Sequence, residues 1–228
     1  MSDGQEQHWY AVKDPGEHQK ARREVANTLR ALVDECLMSA VSIEELASAG
    51  DFLESALGVL RERRGASFVE AVENGEFRAN PITYADRNPV IGKANPIAPP
   101  MLLESDGEWV VGKVNLGSVY EGPPGFVHGG VISGLLDQLF GSLMVREGTA
   151  CLTGRLTVRY RRPTPIGEDL VLKARIARTA GRRYMCDGLL SIGDQKMVDA
   201  DAMMVAVNNE HLVSLFGQSG MTSPGGGS

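Results

Sequence analysis

Residues 122–141 read GPPGFVHGGVISGLLDQLFG, a stretch with one histidine, His128, and one aspartate, Asp137, among apolar residues and glycines. The apolar residues recur at helical spacing, so we expect an α-helix from Gly129 to about Arg146. At about 100° per residue they fall on one broad side of that helix. They are Val131, Ile132, Leu135, Leu136, Leu139 and Phe140.

The opposite side of this helix carries a narrow stripe of glycines around Asp137. A surface helix normally has Lys, Glu or Gln in such places, and each interior glycine costs about 1 kcal/mol relative to alanine. The stripe therefore predicts that another backbone or a ligand lies against the helix beside the carboxylate. A neighbouring helix packed on the glycines, with Asp137 in solvent, is the alternative. The stripe consists of Gly130, Gly134, Asp137 and Gly141.

Strand patterns flank this helix on both sides, two before it and four after it. Asp106-Gly107 and Gly193-Asp194 mark tight turns between neighbouring strands. With one long helix and no second crossover helix, the sheet must be largely antiparallel and must wrap around the helix. We therefore predict an α+β fold. The strands are expected at 101–105, 108–116, 152–162, 169–179, 184–192 and 197–207.

The strand after the helix alternates between apolar and basic residues, so one of its faces packs and the other is basic. Residues 151–185 hold nine Lys or Arg and two acidic residues, although the whole chain has a net charge of −6. This local excess indicates either a solvated sheet face or a site for an anion such as a nucleotide phosphate. Nucleic acid is not expected, because the overall balance is acidic and basic residues do not interleave with aromatic ones. Leu156, Val158 and Tyr160 point one way, and Arg155, Thr157, Arg159 and Arg161 point the other.

The first 80 residues predict a helical extension. Val25, Leu29, Leu32 and Cys36 form an apolar stripe on one helix. Ser42–Glu45 forms a capping box before a second helix, which we expect to split or kink near Gly50. These amphipathic helices need a surface to pack on, either the following domain or a partner subunit. The predicted division is a helical extension at 1–80, an α+β domain at 81–210 and a flexible tail at 211–228.

Other features exclude several classes of protein. The N-terminal sequence lacks a basic region followed by an apolar stretch, so no secretory signal is expected. Residues 126–145 carry charges and four glycines, which argue against a membrane span. Three cysteines lie far apart in no CxxC spacing, as in a reducing compartment, and three of the four histidines lie toward the ends, which argues against zinc. We expect a cytoplasmic protein without a metal.

The start of the central helix suggests a chemistry. The free N–H groups there carry the positive end of the helix dipole, and Gly129-Gly130 leave them accessible. Asp137 lies roughly 10 Å further along the axis. A substrate carbonyl could place its oxygen on the Gly130 N–H and its carbon beside the carboxylate, an arrangement for acyl transfer. His128 could instead act only as a cap that fixes the loop.

Two other motifs are absent from this stretch. GVISG is not the G-x-S-x-G turn of serine hydrolases, and GPPGFVHGG has neither the lysine nor the spacing of a phosphate-binding loop.

Three segments, EGPPGFVHGGVISGLLD, LTVRYRRPTP and GRRY, resemble hotdog-fold acyl-CoA thioesterases of the PaaI-like and thioesterase-superfamily-member types. The resemblance covers roughly residues 98–207, whereas residues 1–80 match nothing in the family. It implies an antiparallel sheet wrapped around one long central helix. It also implies hydrolysis of acyl-CoA thioesters without a cofactor, at a site on a homodimer interface.

The resemblance also implies roles for individual residues. Asp137 would be the general base or nucleophile, and the Gly130 N–H would hold the thioester oxygen while His128 and Gly129 shape the turn. Thr153 would reach the site from the neighbouring subunit and position the water. The residues implied for binding the phosphates of coenzyme A are Arg161, Arg162, Pro163, Gly181, Arg182 and Arg183.

Two alternative functions remain open at this point. A non-catalytic acyl-CoA sensor or scaffold would keep the same motif for binding alone, with the helical extension as its effector. A hotdog dehydratase of 3-hydroxyacyl thioesters is the other, although such enzymes usually pair Asp and His in a different order and spacing.

Overall fold

The computed structural model describes residues 15–76 and 85–207, so the predicted tail at 211–228 lies outside the described residues. The described strands form a single six-stranded sheet in the order β1-β2-β4-β5-β6-β3, with every neighbouring pair antiparallel. All six predicted strands are present, with ends shifted by no more than two residues. They are β1 Leu102–Asp106, β2 Trp109–Asn115, β3 Cys151–Tyr160, β4 Asp169–Ala180, β5 Arg183–Ile192 and β6 Gln195–Ala206.

Tight turns join the hairpins where the sequence predicts them. Gly107 and Gly193 adopt φ values of 57° and 53°, a left-handed conformation that glycine accepts without steric cost. The ladder is irregular between Thr153 and Arg155 in β3 and between Ile176 and Arg178 in β4. The alternation of side chains did not reveal these bulges, because a single extra residue changes the pattern only locally.

The long helix between β2 and β3 lies against the concave face of the sheet. This helix spans Gly129–Arg146 and is called α4, because three described α-helices precede it in the chain. The side of α4 that was predicted to be apolar packs into the core. Gly188 of β5 is required there, since a Cβ would meet the Phe140 ring at 2.7 Å. An antiparallel sheet wrapped around one long helix is the hotdog fold, which confirms the α+β prediction. Side chains of α4 with no more than 2% exposure include Ile132, Leu135, Leu136, Leu139, Phe140, Leu143 and Met144.

Within the described residues, three helices precede the sheet: α1 Glu17–Met38, α2 Ile43–Arg61 and α3 Phe68–Glu73. The capping box of α2 is present, with the Glu45 N–H donating to Ser42 Oγ at 3.2 Å. The expected split near Gly50 is wrong, because α2 runs through it unbroken; one glycine costs about 1 kcal/mol but keeps its N–H in the helical ladder. Sequence analysis missed α3, whose Ser67 and Glu70 form a similar box.

Helix α1 packs on the following domain through a polar face. The guanidinium of Arg23 donates to the Asp86 carboxylate at 2.6 Å, and Gln19 donates to the same group at 2.6 Å. Arg30 donates to backbone carbonyls of the loop at 92–98. The predicted stripe is not the docking face, since Val25 and Leu32 are 45% and 40% exposed.

The cysteines provide a test of the core. Burial in the sheet raises the pKa of the Cys186 thiol to about 12, whereas Cys36 is exposed. Because the thiolate is the reactive form, we expect iodoacetamide at pH 8 to modify Cys36 in the folded protein and to modify Cys186 only after denaturation. Mass spectrometry of peptides over time measures this. Equal labelling rates at both positions would contradict the packing of β5.

Candidate active site

His128 caps the start of α4. Its Nδ1 accepts the Gly130 N–H at 3.0 Å, so this ring nitrogen acts as the hydrogen-bond acceptor of the cap. The Gly130 amide, the predicted oxyanion donor, therefore already has an acceptor. The Gly129 N–H has no acceptor among the described residues. The free donor at this helix start thus lies one residue before the predicted one.

Two hydroxyl groups fix the first turn of α4. The Tyr160 hydroxyl donates to the Gly129 carbonyl at 2.6 Å and lies 2.7 Å from Ser133 Oγ. Ser133 Oγ also lies 3.1 Å from the same carbonyl. These contacts tie the end of β3 to the helix start and hold the Gly129 backbone in position. Sequence analysis assigned neither side chain a role in the site.

Asp137 lies further along α4, beside the other end of β3. Its Oδ1 accepts a hydrogen bond from the Thr153 hydroxyl at 2.8 Å. The resemblance implies that Thr153 reaches the site from the neighbouring subunit, and within this chain Thr153 contacts the carboxylate of its own Asp137. Because Gly129 contacts Tyr160 and Asp137 contacts Thr153, α4 and β3 run side by side in opposite directions.

One chain does not bring the amide and the carboxylate to a common point. Gly129 and Asp137 are eight residues apart, which is about 12 Å along a helix axis. Backbone N–H groups at a helix start point away from the body of the helix, so a carbonyl bound to Gly129 would lie further still from Asp137. The Gly130 N–H also points away from the body of the helix, so a carbonyl bound to it would likewise lie far from Asp137.

A cavity of about 540 Å³ opens at the helix start. Three predicted site residues that directly follow β3 line this cavity together with Gly129 and Tyr160. They are Arg161, Arg162 and Pro163.

The buried wall of this cavity holds an unpaired hydroxyl. Thr164 is 3% exposed, and its Oγ1 has no hydrogen-bond partner within the described part of the chain. A buried polar atom without a partner is costly. The cavity is also lined by Gly129, whose N–H has no acceptor among the described residues, and by two arginines.

Several of the arginines in the basic segment are paired. Arg161 donates to Asp199 at 2.8 Å, and Arg159 donates to Asp201 at 2.7 Å. Hydrogen bonds from Lys196 and Arg161 hold the pKa of the Asp199 carboxyl below its usual value. Much of the outer face of β3 is therefore a ladder of ion pairs, which accounts for part of the basic excess.

The second predicted phosphate-binding group lies elsewhere. Gly181 forms the β4–β5 turn with φ of 58°, and Arg182 and Arg183 line a separate cavity of about 450 Å³. Along β6, Arg183 pairs with Val205 whereas Tyr160 pairs with Val198, a separation of roughly 23 Å at 3.3 Å per residue. Within one chain the two arginine groups are therefore not brought together.

The glycine stripe of α4 is open in the single chain. A Cβ added at Gly134 or Gly141 would meet no atom within 4 Å. The expected close approach is therefore not made by this chain's described residues. The stripe lies on the side of β3, an edge strand of the described sheet, so any partner that covers Asp137 also approaches that edge.

Known proteins support the fold and define the family. The model of the family described as Thioesterase superfamily matches residues 124–198. The crystal structure of protein RHA08564, a thioesterase superfamily protein, superposes with a TM-score of 0.70 and 31% sequence identity, covering 81% of this chain and 90% of that one. This chain belongs to the thioesterase superfamily.

Named enzymes resemble part of the chain. It is 31% identical over 86 residues to the acyl-coenzyme A thioesterase THEM4 of Xenopus laevis, which covers 38% of this chain and 39% of that protein. It is 29% identical over 92 residues to the THEM4 of Mus musculus, covering 40% of each. The chain thus spans about two fifths of the length of these curated relatives. Within residues 15–76 and 85–207, no helix combines the length and the apolarity needed to cross a membrane.

Proposed function

We propose that the protein is an acyl-CoA thioesterase that works as a homodimer, with each active site built from two chains. The observation that carries this proposal is the free N–H of Gly129, a residue that lines one cavity together with Arg161 and Arg162. A thioester carbonyl needs such a donor, and the phosphates of coenzyme A need cations nearby. Both THEM4 relatives are named acyl-coenzyme A thioesterases, which agrees with this substrate class.

The edge of the sheet supports the two-chain site. Strand β3 has ten residues and one side that no described strand pairs with, and a long free edge is a template for pairing with another chain. Most homo-oligomers are closed by a two-fold axis. Such an axis between two antiparallel β3 strands places Tyr160 and Gly129 of one chain at the level of Thr153 and Asp137 of the other.

This pairing removes the geometric obstacle in the single chain. The helix start of one protomer points its amide toward the middle of its partner's α4, where Asp137 lies open beside Gly134 and Gly141. The same axis moves the partner's β4–β5 turn, with Arg182 and Arg183, toward Arg161 and Arg162. Both halves of the predicted phosphate-binding group then serve one substrate.

The reaction follows from these groups. With Asp137 as general base, a water loses a proton to the carboxylate and its oxygen bonds to the thioester carbon, while the Gly129 N–H stabilises the negative carbonyl oxygen. The C–S bond then breaks, the thiolate of coenzyme A takes up the proton, and the free acid leaves. With Asp137 as nucleophile, the carboxylate bonds to the carbon, coenzyme A leaves, and water hydrolyses the resulting anhydride. Thr153 orients the carboxylate in both routes.

A thiol-release assay tests the proposal. We expect the purified protein to release free thiol from acyl-CoAs, measured with a thiol-reactive dye across acyl chains of two to eighteen carbons. Binding of acyl-CoA without thiol release would favour the sensor. Loss of water from a 3-hydroxyacyl-CoA without thiol release would favour the dehydratase.

The arginines at the β4–β5 turn give a prediction about substrate binding. Replacing Arg182→Glu together with Arg183→Glu should raise KM for acyl-CoA at least tenfold, because two attractive charges become repulsive near the phosphates. KM for a truncated thioester without the nucleotide should change little. Steady-state kinetics with both substrates measures the difference.

A matched control is Lys113→Glu with Lys173→Glu, an equal change of charge on β2 and β4. It should leave both KM values near wild type. An equal rise in KM for acyl-CoA and for the truncated thioester would count against phosphate binding at the β4–β5 turn.

A further inference from the structure

The hydroxyl of Tyr160 makes contacts that packing of the side chain does not require. Tyr160 is the last residue of β3 and is 50% exposed, so water could satisfy its hydroxyl. The hydroxyl instead donates to the Gly129 carbonyl at 2.6 Å and lies 2.7 Å from Ser133 Oγ. A Cβ at residue 129 would meet the phenol oxygen at 3.2 Å. The polar end of this side chain therefore lies directly against the start of α4.

The Gly129 carbonyl has more hydrogen-bond donors around it than its helix needs. In an α-helix a carbonyl accepts the N–H four residues further on, so the first residue of α4 has an intrahelical partner at residue 133. A carbonyl oxygen has two lone pairs, and the hydroxyls of Tyr160 and Ser133 are both directed at this one. The tyrosine bond therefore restrains the direction of a group that is already paired.

The start of α4 is a place where such restraint matters. Gly129 and Gly130 have no side chains, and glycine accepts a wider range of backbone dihedral angles than other residues. Helix ends also fray. An oxyanion donor is effective when it is already aimed at the charge that develops in the transition state. The two glycines leave the Gly129 amide accessible, but they also leave its direction weakly determined.

The backbone on both sides of the Gly129 amide is held by hydrogen bonds. The His128 N–H donates to the Tyr120 carbonyl at 2.9 Å, and the Gly130 N–H donates to His128 Nδ1. The Gly129 N–H lies between these groups and has no acceptor among the described residues. The bond from Tyr160 to the Gly129 carbonyl adds the restraint that comes from β3.

We propose that Tyr160 is a positioning residue for thioester hydrolysis: by holding the Gly129 carbonyl, its hydroxyl aims the Gly129 N–H at the oxygen of the transition state. This role rests on the proposed function and adds to it a residue that touches no reacting atom. Loss of an interaction that acts only in the transition state lowers kcat and kcat/KM equally. Removal of the hydroxyl should therefore change kcat and not KM.

Tyr160→Phe tests this role, because it keeps the ring and removes only the hydroxyl. Loss of a whole oxyanion donor costs roughly 10²- to 10³-fold, so a donor that remains but is less well aimed should cost a part of that, roughly tenfold in kcat. KM for acyl-CoA should stay within about twofold of wild type. The melting temperature should change little, because the phenol is half exposed. Steady-state thiol release and thermal unfolding measure these quantities.

The matched control is Tyr184→Phe, which removes the hydroxyl of a half-buried tyrosine on β5. It should leave kcat near wild type. An equal loss of kcat in this control would contradict a particular role for Tyr160.

A double substitution tests whether the hydroxyl acts through the Gly129 N–H. Gly129→Pro removes this N–H, and proline suits the first position of a helix. Adding Tyr160→Phe to Gly129→Pro should lower kcat by no more than about twofold, because groups that act through one another are not additive. A tyrosine that only supported the fold would cost the same factor in both backgrounds.

The results that contradict this role differ from those that contradict the proposed function. Wild-type kcat in Tyr160→Phe, or a raised KM with kcat retained, overturns the positioning role while thioester hydrolysis stands. A further loss of about tenfold on top of Gly129→Pro also overturns it, since the hydroxyl would then act independently of the amide. If the wild-type protein released no thiol from any acyl-CoA, the proposed function would fail and the role of Tyr160 with it.

Discussion

Replacing Asp137→Asn should lower kcat for acyl-CoA hydrolysis by a factor of 10² or more, because a positioned general base contributes about 10²- to 10⁴-fold. The substitution keeps an oxygen that can accept the Thr153 hydrogen bond, so the fold and the affinity for acyl-CoA should persist. Stopped assays of thiol release measure kcat, and thermal unfolding checks the fold.

The control for this variant is Asp187→Asn, which removes an exposed carboxylate from β5 and should leave kcat near wild type. Wild-type turnover by the Asp137→Asn protein would show that this carboxylate takes no part in the mechanism.

A second large effect is expected at the helix start. Gly129 is the first residue of α4, and His128 before it has φ of −61° and ψ of 130°. Proline is well accepted at a first helical position, and the residue before proline prefers this extended conformation. Gly129→Pro therefore deletes the proposed oxyanion donor with little backbone strain. Loss of one such donor costs roughly 10²- to 10³-fold in kcat.

Gly129→Ala provides the matched control for this substitution. Its Cβ meets the Tyr160 hydroxyl at 3.2 Å, as the proline Cβ does, but its N–H remains. The alanine variant should retain most of the wild-type kcat while the proline variant loses it. Equal kcat values for the two variants would show that the Gly129 N–H does not act in catalysis.

The sequence predicts the framework well because periodicity encodes which side of an element is buried. The core side of α4 and all six strands follow from spacing alone. The docking of α1 does not, since it uses Gln19, Arg23 and Arg30, polar residues that carry no hydrophobic signal. Their partners lie more than 60 positions away in the chain.

The candidate site was predicted less completely, for a related reason. The Gly-Gly pair and Asp137 identify a helix with an unusual face. The distinction between the Gly129 and Gly130 amides, however, depends on where the His128 ring points. Tyr160 was correctly predicted to point inward, but its hydrogen bond to a carbonyl 31 residues away leaves no trace in the alternation. The separation of the arginine groups follows from strand register, which was not predicted.

The most direct test of the two-chain active site mixes two inactive variants. Asp137→Asn and Gly129→Pro chains carry different affinity tags, are co-expressed, and are assayed for thiol release. In a symmetric dimer, each mixed pair contains one site with an intact Gly129 from one chain and an intact Asp137 from the other, so random mixing should recover about a quarter of wild-type activity. If both groups acted within one chain, the mixture would stay as inactive as its components, and that result would contradict the proposed site.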